Sequence, residues 1–151
     1  MKKGINFWSW IVLLSLCIGF SSCSKDDDKK SFYIKAKIND KNYSAKVATG
    51  VMDGGLGEIV SISGFSFSNE PYNIVLSFPI DITVGTYDLS DNVWFGDYKA
   101  ALWHNDYRYP STDGSITITE YNTKKGLIKG TFQFTVEGYT ITDGAFSAEL
   151  P

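Results

Sequence analysis

The sequence predicts an all-β domain, an antiparallel β-sandwich of about eight or nine strands, with a small closed β-barrel as the alternative. Three observations carry this expectation. From Phe32 onward the apolar residues recur with a period of two, the mark of half-buried strands. No window sustains the i, i+3, i+4, i+7 spacing of an amphipathic helix. Aromatic residues make up 15% of the chain, and their flat side chains suit pleated surfaces. Short strands at this spacing fit a sandwich or a barrel equally, because both shelter the strand edges.

The elements can be justified in order. Phe32, Ile34, Ala36 and Ile38 fall on one face, with Lys35 and Lys37 on the other. Asn39-Asp40 then supplies a turn that tolerates left-handed backbone, and Tyr43, Ala45 and Val47 bring the chain back, so residues 32–48 read as a hairpin. Gly50 to Gly57, with Asp53-Gly54-Gly55, reads as a loop. Glu58 to Phe67 reads as a strand with two candidate inward sets, Val60 and Ile62 or Ile59, Phe65 and Phe67, and Gly64 is the candidate bulge between them. Tyr72, Ile74, Leu76 and Phe78 alternate up to Pro79, and Gly85 to Leu89 forms a short extended piece. Val93 to His104 reads as a long strand with Tyr98, Ala100 and Leu102 on one face and Lys99 and Trp103 on the other. After Asp113-Gly114, Ile116 and Ile118 alternate with polar residues. The chain turns through Asn122 to Gly126 and returns with Ile128, Phe132, Phe134 and Val136 inward. Ile141 to Leu150, with Phe146, Ala148 and Leu150 inward, is the last strand.

The N-terminal part is of a different kind. Met1-Lys2-Lys3, the apolar run from Phe7 to Phe20 and the small pair Ser21-Ser22 have the three-part build of an export signal. The run falls short of the roughly 20 apolar residues a spanning helix needs. Residues 1–22 are therefore expected to be a cleaved lipoprotein signal peptide. Phe20-Ser21-Ser22-Cys23 resembles the lipobox of bacterial lipoproteins, although that pattern favours Leu where this chain has Phe20. Cys17 fits poorly, because bulky Leu16 precedes it inside the apolar run. Cys23 is thus expected to be the lipidated first residue of the mature chain, which makes membrane lipid its first partner. Each buried methylene of an acyl chain contributes about 0.8 kcal/mol, so several chains together hold durably.

Residues 23–31 read as a flexible tether, since Ser24 to Lys30 offer no apolar surface to offset the entropy of ordering. The acidic run Asp26-Asp27-Asp28 resembles the export signal that carries lipoproteins of Bacteroidota to the cell exterior. The expected location is the outer membrane, lipid-anchored and facing outward, with the periplasmic face as the alternative. Residues 32–151 then form a single all-β domain, long enough for a core of its own.

Composition excludes several classes. The chain of 151 residues has a formal charge of −3, and loss of Lys2 and Lys3 makes the mature part more acidic, so nucleic acid is a poor partner. Of the two cysteines, Cys17 leaves with the signal and Cys23 is acylated. No thiol remains for a disulfide, so stability must come from packing.

A resemblance covers most of the mature chain. The opening Phe32-Tyr33-Ile34-Lys35-Ala36-Lys37-Ile38-Asn39-Asp40, the phrase Gly85-Thr86-Tyr87, and the close from Gly114 to Thr119 and Ile128 to Phe134 are similar to a family of small, uncharacterised Bacteroidota lipoproteins. The resemblance implies an all-β sandwich, or a lipocalin-like barrel, displayed on the envelope. These are strand and turn motifs, and they bring no catalytic residues with them.

Catalytic and metal chemistry finds little footing. The single histidine, His104, has no Gly-x-Ser-x-Gly elbow to serve, since Gly64-Phe65-Ser66-Phe67-Ser68 lacks the closing glycine. One histidine and no free cysteine cannot assemble a zinc site, and Asp26-Asp27-Asp28 lacks the spacing of a calcium loop. Gly50 to Gly57 is glycine-rich, but no Gly-Lys-Ser/Thr closes it and no helix follows. The expectation is a protein that is not an enzyme and carries no cofactor or metal. One constellation invites a binding role: Trp94, Phe95, Tyr98, Trp103, His104, Tyr107, Arg108 and Tyr109 crowd one stretch, with Asn105 and Asp106 between them, and of these Trp94, Tyr98, Trp103, His104, Tyr107 and Tyr109 are the candidate ligand contacts. Flat rings beside amides and carboxylates suit sugars, whose C–H faces stack while their hydroxyls find polar partners. Because Leu102 and Trp103 are adjacent on the pleat, one of the two must face away from the core. The chain is therefore read as a glycan- or peptide-binding module, the alternative being an accessory lipoprotein that packs on another envelope protein.

Overall fold

The computed structural model describes residues 32–53, 58–66, 71–89 and 98–150. The expected signal peptide 1–22, Cys23, the expected tether 23–31 and Trp94 lie outside the described residues. The described residues form ten strands and no helix. The strands are β1 (Tyr33–Ile38), β2 (Lys41–Asp53), β3 (Glu58–Phe65), β4 (Tyr72–Pro79), β5 (Gly85–Asp88), β6 (Lys99–His104), β7 (Tyr107–Pro110), β8 (Asp113–Asn122), β9 (Leu127–Val136) and β10 (Tyr139–Glu149). They make one antiparallel sheet in the order β5-β8-β9-β10-β1-β2-β3-β4-β6-β7. The N-terminal strand is thus inserted between β10 and β2.

The sheet cannot be flat. Only Ser111 and Thr112 separate β7 from β8, yet β7 stands at one end of the strand order and β8 next to the other. Three Cα steps hold Pro110 within about 11 Å of Asp113. The sheet therefore curls until its ends meet. At that junction the Ser111 N–H donates to the Ala100 carbonyl on β6 and the Thr112 N–H to the Thr135 carbonyl on β9, each at 2.9 Å. Tyr107 to Asn122 thus runs as one nearly continuous stretch that pairs first with β6 and then with β9. Tyr87 on β5 adds to the closure by stacking on Tyr98 just before β6, with ring centroids 4.3 Å apart. A curled antiparallel sheet of this kind is compatible with both the sandwich and the barrel.

The inward face is filled with side chains. Ile34, Val60, Ile62, Ile74, Leu76, Phe78, Leu102, Ile116, Ile118, Phe134, Ile141 and Phe146 are essentially inaccessible to solvent. The period of two is what places them on one face. Close packing also dictates one glycine: a Cβ on Gly130 would lie 2.4 Å from the Thr117 carbonyl and 2.7 Å from the Phe146 ring. Gly64 serves a related purpose, since it leaves space beside Ile34 and its carbonyl accepts a hydrogen bond from the buried Tyr43 hydroxyl. Outside the core, the Tyr121 hydroxyl donates to the Ile80 carbonyl at 2.7 Å and pins the crossover from β4 to β5.

Four differences from the sequence reading have physical causes. There are ten strands rather than eight or nine, because Asn105-Asp106 adopts positive φ of 50° and 65° and turns β6 back into β7. The expected loop from Gly50 begins as strand: β2 runs to Asp53 because β3 offers it a full-length partner, with Gly50 opposite Ser61 and Asp53 opposite Glu58. Such long-range pairing outweighs the low strand propensity of glycine. Gly64 marks no bulge, since β3 keeps register with both neighbours from Ile59 to Phe65 and turns Val60 and Ile62 inward. The irregularities fall elsewhere, in β10 around Asp143, whose φ is 51°, and in β8 between Ile118 and Glu120. Lastly, β6 begins at Lys99, and residues 93–97 of the expected long strand lie outside the described residues.

Candidate functional site

The aromatic constellation divides between the two faces of the sheet. On β6 the pleat turns Leu102 into the core and Trp103 out, leaving Trp103 39% exposed. Tyr98 is half-buried in its stack with Tyr87. His104 and Tyr109 point to the core side at one end of the sheet and join Tyr72 and Tyr139 in a four-ring cluster. His104 stacks on Tyr72 at 4.5 Å, and Tyr139 meets the edges or faces of Tyr72, His104 and Tyr109 at 5.9, 5.9 and 5.5 Å. Such pairs add attraction beyond the area they bury. The His104 Nε2 lies 3.0 Å from the Asn105 side-chain nitrogen, while its Nδ1 is buried with no partner among the described residues. Tyr107, opposite His104, projects into solvent at 71% exposure. Packing thus accounts for Tyr98, His104 and Tyr109, and leaves Trp103 and Tyr107 as the accessible rings among the described members of the set.

Register builds a second arrangement around Trp103. Cross-strand partners share a face, and on the outer face successive partners across β2, β3, β4, β6 and β7 are Lys46, Phe65, Asn73, Trp103 and Arg108. Phe65 is 48% exposed. Its ring and that of Trp103 rise from strands two apart, about 9.6 Å at the usual strand spacing. Asn73 lies on the strand between them, and its side-chain oxygen is buried without a hydrogen-bond partner among the described residues. An unsatisfied buried acceptor is costly. The next outer row is low: Ala48, Ser63, Val75, Ala101 and Pro110. The row beyond it holds Gly50, Ser61, Ser77 and Lys99. The result is a shallow step, with rings and long side chains standing beside a floor of small residues.

The outer face of β8, β9 and β10 differs. A polar groove of about 460 Å³ lies there among Ser115, Thr117, Thr131, Gln133 and Asp143. It offers hydroxyls and an amide, and its one lining ring, Phe132, is buried in the core. Asp143 also holds Lys37 in an exposed ion pair at 2.8 Å, which raises the lysine pKa through that hydrogen bond and charge.

Among the described residues no group of three His, Cys, Asp or Glu side chains could hold a metal ion. Phe65 and Asn73 were not singled out by the sequence, whereas Arg108 stood in the aromatic stretch without a partner assigned to it. The usable signal was an Asn-Asp dipeptide at 105–106 identical to the turn at 39–40, which would have set Arg108 opposite Trp103. For Phe65 and Asn73 only the register supplies the link.

Fold and face together define an all-β domain with a side-chain-filled core and an outer row of exposed rings. The chain belongs to the family DUF6252, a domain of unknown function, whose model matches residues 30–148. No curated protein and no solved structure matches it.

Proposed function

We propose that the mature chain is a lipid-anchored binding module of a Bacteroidota outer membrane, facing the cell exterior, which captures a glycan on its outer face at Trp103. The observation that carries the reading is the row Phe65, Asn73, Trp103, Arg108, in which two exposed rings flank an amide and end on a guanidinium. The rings offer the C–H face of a pyranose a stacking surface, and the spacing of about two strands suits two sugars of an extended chain. A filled core argues for recognition on the surface, not in an internal cavity. Display on the membrane follows from the lipobox-like sequence at Cys23 and the acidic tether after it.

The test is a glycan array probed with the full-length chain in nonionic detergent, alongside Trp103→Ala, Phe65→Ala and Trp94→Ala. Binding by the wild type and its loss in the Trp103 and Phe65 variants, with circular dichroism unchanged, is the expected result. No bound glycan, or binding indifferent to both changes, overturns the reading. For the anchor, incorporation of labelled fatty acid should vanish in Cys23→Ser. Protease treatment of intact cells should remove the domain before lysis.

A further inference from the structure

The outer face of β2, β3, β4, β6 and β7 has a charge opposite to that of the chain. Its three rows carry Lys46, Lys99 and Arg108 and no carboxylate, although the formal charge of the whole chain is −3. None of the three cations has an ion-pair partner among the described residues, whereas Lys37 on β1 and Lys129 on β9 are paired with Asp143 and Glu120. Lys46 and Arg108 bracket Phe65, Asn73 and Trp103, roughly 19 Å apart across five strands, and beyond Lys46 the row continues to Tyr33 on β1.

We propose that the ligand of this face is an acidic polysaccharide whose uronate carboxylates are bound by Arg108 and Lys46 while its sugar rings lie on Trp103 and Phe65. The proposal rests on the glycan reading above and adds its charge. The guanidinium of Arg108 presents a planar fork that matches a carboxylate with two hydrogen bonds, and the Lys46 ammonium acts as a point charge at the other end. Both are exposed, so their attraction is strong at low salt and screened at high salt. A polymer lying along the row meets cation, ring, amide, ring and cation in turn.

The experiment is affinity electrophoresis of the full-length chain in nonionic detergent through gels containing polygalacturonate, the same polymer methyl-esterified, or polyglutamate. Retardation by polygalacturonate should exceed that by the ester about tenfold or more, since charge-assisted bonds are roughly twice as strong as neutral ones. Arg108→Gln and Lys46→Gln should each weaken the acidic interaction and leave the ester unaffected, and Trp103→Ala should weaken both. Equal retention of acid and ester would overturn the charge assignment and leave glycan binding standing. Retention by polyglutamate as strong as by polygalacturonate would show a plain polyanion effect and overturn the proposal. Retention by no sugar polymer would remove this inference and the glycan reading together.

Discussion

Raising the pH should destabilise this fold through Tyr43. The residue is buried on β2, its hydroxyl donates to the Gly64 carbonyl, and burial pushes its pKa up from 10.0 to about 12, with the backbone of Ile74 pulling weakly the other way. A raised pKa means that the folded state keeps the phenolic proton over a range where the unfolded chain has lost it. Between pH 10 and 12 the unfolded state therefore binds fewer protons, and stability falls as pH rises. The contribution is intact below pH 10 and lost as pH climbs through 12. Two units correspond to about 2.7 kcal/mol in all, of which about 1.4 kcal/mol should be gone by pH 11. The assay is urea unfolding followed by tryptophan fluorescence at several values from pH 8.5 to 11.5, for wild type and Tyr43→Phe. Subtracting the variant cancels the titration of lysines and the other tyrosines. The wild-type advantage should shrink by about 1.4 kcal/mol between pH 9 and pH 11. A difference that stays flat over that range would mean the hydroxyl titrates as it does in water, and the burial argument would fail.

Three further outcomes are expected. Leu102→Ala should cost about 2–5 kcal/mol in urea unfolding while Trp103→Ala costs less than about 1, since only the first empties a core site; equal costs would contradict the register of β6. Gly130→Ala should lower stability by about 1–3 kcal/mol or more, because the new methyl meets the Thr117 carbonyl and the Phe146 ring, and a neutral result would show that β8 and β10 do not approach so closely. His104→Phe should keep or raise the thermal midpoint, as it retains the stack on Tyr72 and removes a buried nitrogen without a partner at the cost of the exposed Nε2 contact with Asn105; a fall of several degrees would mean that the imidazole's hydrogen bonds outweigh that gain.

Which parts of this molecule were legible in the sequence depended on range. Alternation within a strand is a local signal, so the inward faces of β1, β4, β9 and β10 and the outward turn of Trp103 follow from the order of apolar residues. The turn at Asn39-Asp40 was readable because Asn and Asp tolerate the positive φ that it adopts, 46° and 63°. The same dipeptide at 105–106 makes the turn into β7, but amid an aromatic stretch it reads as an amide and a carboxylate for a ligand, which hides that strand. The extent of β2 through Gly50 and the insertion of β1 beside β10 depend on partners far along the chain. The ring row is hidden for the same reason: Phe65, Asn73, Trp103 and Arg108 are scattered through the sequence, and only pairing aligns them.

The position of β1 between β10 and β2 also governs when the domain can form. Asn39 and Thr140 are 101 residues apart yet hydrogen-bonded to each other at 2.8 Å, and the β1–β10 ladder runs on from them. A chain emerging from its N-terminus can make the β1–β2–β3–β4 meander early, but β1 keeps a bare edge until β10 arrives. Such distant pairing makes folding slow and leaves a sticky intermediate in the meantime. β10 acts as the latch of the sheet: until it pairs with β1, one edge of the meander stays bare and the domain stays pliant, and the fold becomes rigid once that ladder has formed.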